Sequence, residues 1–421
     1  LRVAEEDLAS KEAALAKLQA KYDNAMAEKQ ALEDEAIKTR KKLTAARALI
    51  SGLSGERERW EEESQELKMK IGRLIGDVSL CSAFLSYAGA FNQEFRNILT
   101  ENWLKDMRER VIPFTPGIQD KITQFLVSEA TVGEWNLQGL PTDDLSVQNG
   151  IIVTTATRYP LLIDPQAQAN TWIKNREGDN NLKVTKLNHR YFKNHLEDAL
   201  NNGFPILIED VEDELDPMLD PILEKQFVRS GKSLKVRLGD EECDVTDGFM
   251  LYITTRIANP KYSPEVFAKA AIIDFAVTMN GLEQQLLTRV VNKERVELEE
   301  QRHALLETVN KNKKQLEQLE EDLLFRLSTS KKGLLDDDTL VEVLAKTKST
   351  TAEVKEKLAS ASEMEAKINE AREEYRPVAT RGSIMYFLVA EMALVNNNYQ
   401  TSLKQFLAWF DLAIETAEAS P

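Results

Sequence analysis

Eight residues, Asp164-Pro165-Gln166-Ala167-Gln168-Ala169-Asn170-Thr171, stand where a phosphate would be cradled if their types were right. They follow the apolar run Leu161-Leu162-Ile163 and precede a helical pattern through Trp172-Ile173-Lys174. That is the strand–turn–helix setting of a phosphate-binding loop. The chemistry uses G-x-x-x-x-G-K-[ST]. Its glycines bring backbone N–H groups to the phosphates, its Lys reaches the β/γ-phosphates, and its hydroxyl serves Mg²⁺. Laid over this template, the chain has Asp164 and Ala169 at the glycines, Asn170 at the Lys and Thr171 at the hydroxyl. The setting is kept and the chemistry is not. Asn170 carries no cation, and a carboxylate at Asp164 repels phosphate charge at this range.

A second piece of nucleotide chemistry follows. The apolar segment 204–208 ends in Ile208-Glu209-Asp210, as a Walker B strand ends in acids that hold Mg²⁺ and polarise the attacking water. The order is Glu-Asp, the reverse of the usual Asp-Glu. Gly231-Lys232-Ser233 imitates the end of a P-loop, but Gln226 stands at its first glycine and a strand follows it, so it reads as a polar turn. His189 and His195 are six apart and His303 lies in a charged coil. No Cys/His cluster has metal spacing, so no metal is expected. No nucleophile arrangement of Ser, Cys and His is recognisable, and no catalytic residue is assigned.

These residues need strands and helices to hold them. Strand patterns fall at 150–154, 161–163, 182–186, 205–209, 234–238 and 249–254, with helices at 167–175, 191–201 and 216–227. Alternation of this kind implies a largely parallel sheet covered on both faces. The fold class expected is therefore an α/β module with a helical subdomain and long coiled-coil helices. The 421 residues allow two or more units, and 42% apolar, 29% charged and 7% aromatic residues favour long helices. A net charge of −16 argues against broad nucleic-acid binding. Two distant cysteines, Cys81 and Cys243, suggest a reducing intracellular setting. The longest apolar run, 384–395, is broken by Glu391 and reads as too short to span a membrane. The chain starts in mid-helix without a signal peptide and reads as a piece of something longer.

Positions seven apart from Leu8 (Leu15, Tyr22, Lys29, Ala36, Leu43, Ile50) interleave with Leu18, Ala25, Leu32, Thr39, Ala46, Leu53, Trp60, Leu67 and Leu74. These are the a and d positions of a coiled coil, interrupted at Lys29, Thr39, Arg57 and Ser64. Residues 1–78 would make a helix roughly 115 Å long. So narrow an apolar stripe must be covered by a partner. From residue 71 the charge density falls and the helix enters a packed core. A second coil follows: Leu298, Leu305 and Leu319 interleave with Val309, Leu316 and Leu323. Its return helix carries Leu340, Leu344, Val354, Leu358, Ile368 and Tyr375, with a polar loop at 328–338 between and Pro377 after. Together they make an antiparallel hairpin, roughly 55 Å long.

The whole chain resembles the dynein heavy chain family. The order of long coil, α/β module with a defective P-loop, and inserted coiled hairpin carries the resemblance. So do Trp135-Asn136-Leu137-Gln138-Gly139-Leu140-Pro141, Tyr159-Pro160-Leu161-Leu162-Ile163-Asp164-Pro165-Gln166, Glu214-Leu215-Asp216-Pro217 and Tyr252-Ile253-Thr254-Thr255. Arg158-Tyr159-Pro160, Trp172-Ile173-Lys174-Asn175 and Ala379-Thr380-Arg381-Gly382-Ser383-Ile384 look closer to axonemal outer-arm chains than to the cytoplasmic type.

The resemblance implies a domain plan. Residues 1–78 would be the returning helix of the microtubule-binding stalk, and 79–105 the end of the fourth AAA+ module. Residues 106–278 would be the large subdomain of the fifth module, and 279–421 its small subdomain carrying the strut hairpin 291–376. Thr254 or Thr255 would fall at the sensor position. The resemblance also implies that this module binds no nucleotide, ATP and Mg²⁺ being held by other modules, and that it is not itself catalytic. Its expected partners are the rest of the heavy chain, the microtubule through the stalk tip, light and intermediate chains and other heavy chains. No nucleic acid and no membrane are expected, and the location implied is the cytoskeleton, in the axoneme of a cilium or flagellum. Two other readings stand beside this one: a regulatory module that still binds nucleotide, and a coiled-coil scaffold protein.

Overall fold

The computed structural model describes residues 2–231, 233–239, 241–329, 338–396 and 398–417. Most of the loop expected at 328–338 therefore lies outside the described residues, as does Lys232. The chain divides into two units, residues 1–66 with 315–357, and residues 67–314 with 358–421.

In the first unit, helix α1 (Arg2–Tyr87) runs unbroken through its coiled-coil positions. Among the coiled-coil positions whose side chains are described, Leu18 is 72% exposed and Ile50 72%, and Leu15, Tyr22, Leu32 and Leu43 are more than half exposed.

The second unit receives the far end of α1. Leu80, Cys81, Phe84 and Ala88 are buried there, in one core with Leu104 and Met107 of α2 (Gln93–Glu109) and with the α/β body. Gly76 lies so close to Pro113 and Phe114 that any side chain would collide with their backbone and Cβ. One residue on, the buried Asp77 accepts hydrogen bonds from the N–H (2.7 Å) and the hydroxyl (2.6 Å) of Thr115. Arg96, 1% exposed, donates to the carbonyls of Phe91 and Gly89 and to the side chains of Gln148 and Asn149. Four acceptors are what let a guanidinium stay buried.

Short helices α3 (Ile122–Leu126) and α4 (Glu129–Leu137) lead to α5 (Asp144–Thr155). The strand expected at 150–154 is thus a helix. Asp143 caps it by accepting from the Ser146 N–H, and its buried residues lie on all sides, so a fully buried helix looked like a continuous apolar strand. The sheet comprises β1 (Pro160–Ile163), β2 (Lys183–Lys186), β3 (Ile206–Glu209), β7 (Leu251–Thr255) and β8 (Ala271–Asp274). Its order is β2-β3-β7-β1-β8 and every pairing is parallel. Helices α6 (Gln168–Glu177) and α7 (Phe192–Asn202) supply two of the crossovers. Separate hydrophobic cores cover the two faces, as a parallel sheet requires.

Two further expectations are corrected and one strand is added. The helix expected at 216–227 shrinks to a single turn, α8 (Asp220–Leu223), because Pro217 and Pro221 admit only short helical starts. The strand at 234–238 is real but lies outside the parallel sheet. It is β5 (Ser233–Leu238), the centre of an antiparallel sheet with β4 (Val228–Ser230) and β6 (Glu241–Val245). Gly231, at φ 65°, turns the β4–β5 hairpin, which agrees with a polar turn there. The fifth parallel strand, β8, was not among the strands expected, although Ala271-Ile272-Ile273 is a short apolar run.

After α9 (Pro264–Lys269), a helical group forms from α10 (Met279–Glu294), α13 (Arg376–Val395) and α14 (Leu403–Thr416) around Leu282, Leu286, Tyr386 and Phe406. Between α10 and α13 the chain makes α11 (Val296–Thr329) and α12 (Asp338–Glu373). On α12 the residues Val354, Ala361 and Ile368 are buried at seven-residue spacing, as a coiled-coil seam demands. Near the base of the pair, Arg372 reaches Glu299 at 3.0 Å and the Thr288 hydroxyl at 2.9 Å. Contrary to the sequence expectation, α13 is long and apolar enough to cross a membrane by length and composition, since Glu391 does not lower its apolar content far enough. Here Ala379, Gly382, Ser383 and Tyr386 seat it in the helical group, with the Ser383 hydroxyl donating to the Met279 carbonyl.

Candidate functional site

The loop after β1 begins at Asp164, whose N–H donates to the Thr255 carbonyl at 2.8 Å. This bond ties the loop to the end of β7, its neighbour in the sheet. Ala167 then adopts a left-handed conformation (φ 59°, ψ 30°) and α6 begins. An alanine held there costs strain that a glycine would not. The turn leaves the first N–H groups of α6 without helical partners. They point at Asp164. Its Oδ1 accepts from the Gln168 N–H and its Oδ2 from the Asn170 N–H, each at 2.8 Å. The carboxylate is 2% exposed. Burial pushes its pKa up to about 6, against the pull of the N–H donors of Asn170, Gln168 and Ala169. Pro165 is half-buried, and Ala169 is buried within the core beneath the loop.

The residue at the Lys position turns sideways. Asn170 Nδ2 donates to Glu209 Oε1 at 2.7 Å, and Lys174 Nζ meets the same oxygen at 2.6 Å. Burial raises the Glu209 pKa, but these two hydrogen bonds and the Lys174 charge outweigh it and leave the carboxyl below its ordinary value. A general base poised near neutrality needs the opposite shift. Asp210, at φ 56°, faces Lys186 and Arg256. Thr171 returns its hydroxyl to the Ala167 carbonyl at 2.8 Å, where it satisfies helix backbone. Ile208 is core. Thr254 and Thr255 are buried at the end of β7, Thr254 against the Ile208 carbonyl and Thr255 accepting from the Ile257 N–H. The structure therefore brings the loop, the strand-end acids and the threonines together at the carboxyl ends of neighbouring strands. That is the place where open parallel sheets bind ligands.

Two family models match the chain. One, the ATP-binding dynein motor region, covers residues 133–354, and the other, the microtubule-binding stalk of the dynein motor, covers residues 1–107. The chain belongs to the dynein heavy chain family. It is 55% identical over 93% of its length to mouse dynein axonemal heavy chain 5 and 56% identical over 94% to human dynein axonemal heavy chain 8. Against the dynein gamma chain of the flagellar outer arm of Chlamydomonas reinhardtii it is 54% identical over 89%. Identity falls to 45% with human dynein axonemal heavy chain 10 and 41% with human chain 6. The chain spans only 8% to 10% of the length of these dynein relatives.

Two contributors to this dynein site, Lys174 and Arg256, were missed from sequence, and for Gln166, already named in the loop, the contacts were missed. Lys174 follows Asn170 by one helical turn on α6, so both reach Glu209 from one face, a spacing that could have been read. Gln166 accepts from the Val277 N–H (3.3 Å) and donates to the Tyr386 hydroxyl (3.5 Å), linking the loop to the helical group. Arg256 reaches Asp210 from just beyond β7. No local pattern announces these last two contacts.

Proposed function

We propose that this segment is a nucleotide-incompetent AAA+ module of a dynein motor, coupling movements of the motor ring to the microtubule-binding stalk. The domain plan is the one the family resemblance implies: stalk helix 1–78, end of the fourth module 79–105, large subdomain 106–278, and small subdomain 279–421 with strut hairpin 291–376. The stalk helix and the hairpin are the module's two levers. The observation that carries the reading is the bonding of Asn170. The one side chain that should be a cation for phosphate is a neutral amide, spent on Glu209. ATP binding and hydrolysis then belong to other modules of the motor, a minus-end-directed microtubule motor in the axoneme. Its partners are the rest of the heavy chain, including the antiparallel stalk helix, and the microtubule, with light and intermediate chains and other heavy chains.

Titration calorimetry of this chain with Mg·ATP tests the first half of the reading. No heat of binding at millimolar nucleotide is expected, and saturable tight binding overturns it. The second half concerns the stalk. Interrupted seam positions lower the cost of sliding one helix along the other, which gives discrete registers. Replacing Lys29, Thr39, Arg57 and Ser64 by Leu in the whole heavy chain is expected to lock one register. If ATP still modulates microtubule affinity as before, the coupling role fails.

A further inference from the structure

The N-terminus of α6 is an anion nest, and its occupant is part of the chain. Backbone N–H groups at such a terminus converge on an anion, and in a working phosphate loop that anion is phosphate. Here the N–H groups of Gln168 and Asn170 converge on the two oxygens of Asp164, each at 2.8 Å, out of reach of solvent. A carboxylate matches what the nest needs from phosphate: negative charge and oxygens that only accept. Asn170 and Lys174 both reach the same Glu209 oxygen beside the nest. From the same loop Gln166 reaches the Val277 N–H at the start of the helical group and the Tyr386 hydroxyl on α13. Loop and helical group are thus joined by side chains.

We propose that Asp164 is a built-in ligand: its carboxylate takes the phosphate's place in the nest, so the module keeps a loaded arrangement permanently, and Gln166 transmits that arrangement to the helical group. The proposal rests on the nucleotide-incompetent reading and extends it. The loop is more than a decayed site, because a decayed site would leave the N–H groups of α6 to water.

Emptying the nest tests the idea. In the full 421-residue chain, Asp164→Gly removes the carboxylate and restores the glycine that the phosphate-loop template places there. Inorganic phosphate is the probe, with chloride at matched ionic strength as control. Phosphate is expected to raise the unfolding temperature of the variant by several degrees and to leave the unmodified chain where chloride leaves it. Equal responses of the two chains overturn the proposal. Should the variant not fold, hydrogen exchange on the unmodified chain decides. Protection of the Gln168 and Asn170 amides at least about tenfold above that of exposed amides is expected, and unprotected amides overturn the proposal. Mg·ATP binding to the unmodified chain is a separate outcome and overturns the reading beneath it. Phosphate indifference of the variant overturns the built-in ligand alone.

Discussion

The loop at 164–171 and the seam of α1 are opposite answers to one problem, that of groups whose natural partner is not in the sequence beside them. The loop turns inward. Its N–H groups take Asp164, its Asn170 amide takes Glu209 and its Thr171 hydroxyl takes the Ala167 carbonyl, while Gln168 Nε2 is left buried without a partner among the described residues. The seam does the reverse, leaving Leu15, Leu18, Leu32 and Ile50 exposed along the helix. The contrast is between a loop whose polar groups bond mostly within the chain and an apolar stripe exposed to solvent. On the reading proposed above, the first holds no nucleotide and the second takes a partner helix.

Several changes would break or sharpen this contrast. The largest effect is expected beneath the loop, where Trp172 is fully buried between Trp135 and Phe275. Trp172→Ala should lower unfolding stability by about 3–5 kcal/mol, measured by chemical denaturation followed through the remaining tryptophans. Asp164→Ala comes next. It strands two buried N–H donors and should cost about 1–3 kcal/mol at neutral pH, with faster exchange at Gln168 and Asn170. Should that variant prove neutral, the bonds to Asp164 do not hold the loop and the comparison collapses.

The pH dependence sharpens the same point. The pKa of Asp164 is raised in the fold, so the stability it contributes is fully present below its ordinary value of 3.8 and is lost as pH rises through about 6. Unmodified chain minus Asp164→Asn should therefore lose stability between about pH 4 and 6, on the order of 3 kcal/mol in all. A flat difference would mean that the carboxyl is not held in a desolvated nest. The smallest effect is expected on the seam. Leu32→Asp should change the unfolding of this chain by less than about 0.5 kcal/mol, since Leu32 is 66% exposed. In the whole heavy chain the same change should weaken the stalk and the ATP-dependence of microtubule affinity. A large loss in this chain alone would show that the stripe is already covered.

Much of this was legible in the residues. The strand before the loop, the substitution of Asn170 for Lys and the acids at Glu209-Asp210 could be laid on a known template, because phosphate chemistry demands fixed types at fixed spacing. The coiled-coil helices could be read from a period that hydrophobic burial imposes. The role of Asp164 could not. Reading along the chain, its charge looks like a repulsion toward an absent phosphate. Only the left-handed turn at Ala167 shows that the carboxylate folds back into the nest. The segment 150–154 misled for a different reason. A helix buried on all sides loses its periodicity, and β-branched Ile and Val at 151–153 then argue for a strand. Gln166 and Arg256 act across long stretches of chain, where spacing carries no information.

The root of α1 has a mechanical meaning of its own. At Gly76 the helix lies flat against Pro113 and Phe114 with no room for a side chain, and Asp77 grips Thr115 through two hydrogen bonds. A shaft keyed on one face and pinned one residue further along resists rolling in its bearing, so residues 76–77 fix the rotational setting of the helix within the second unit.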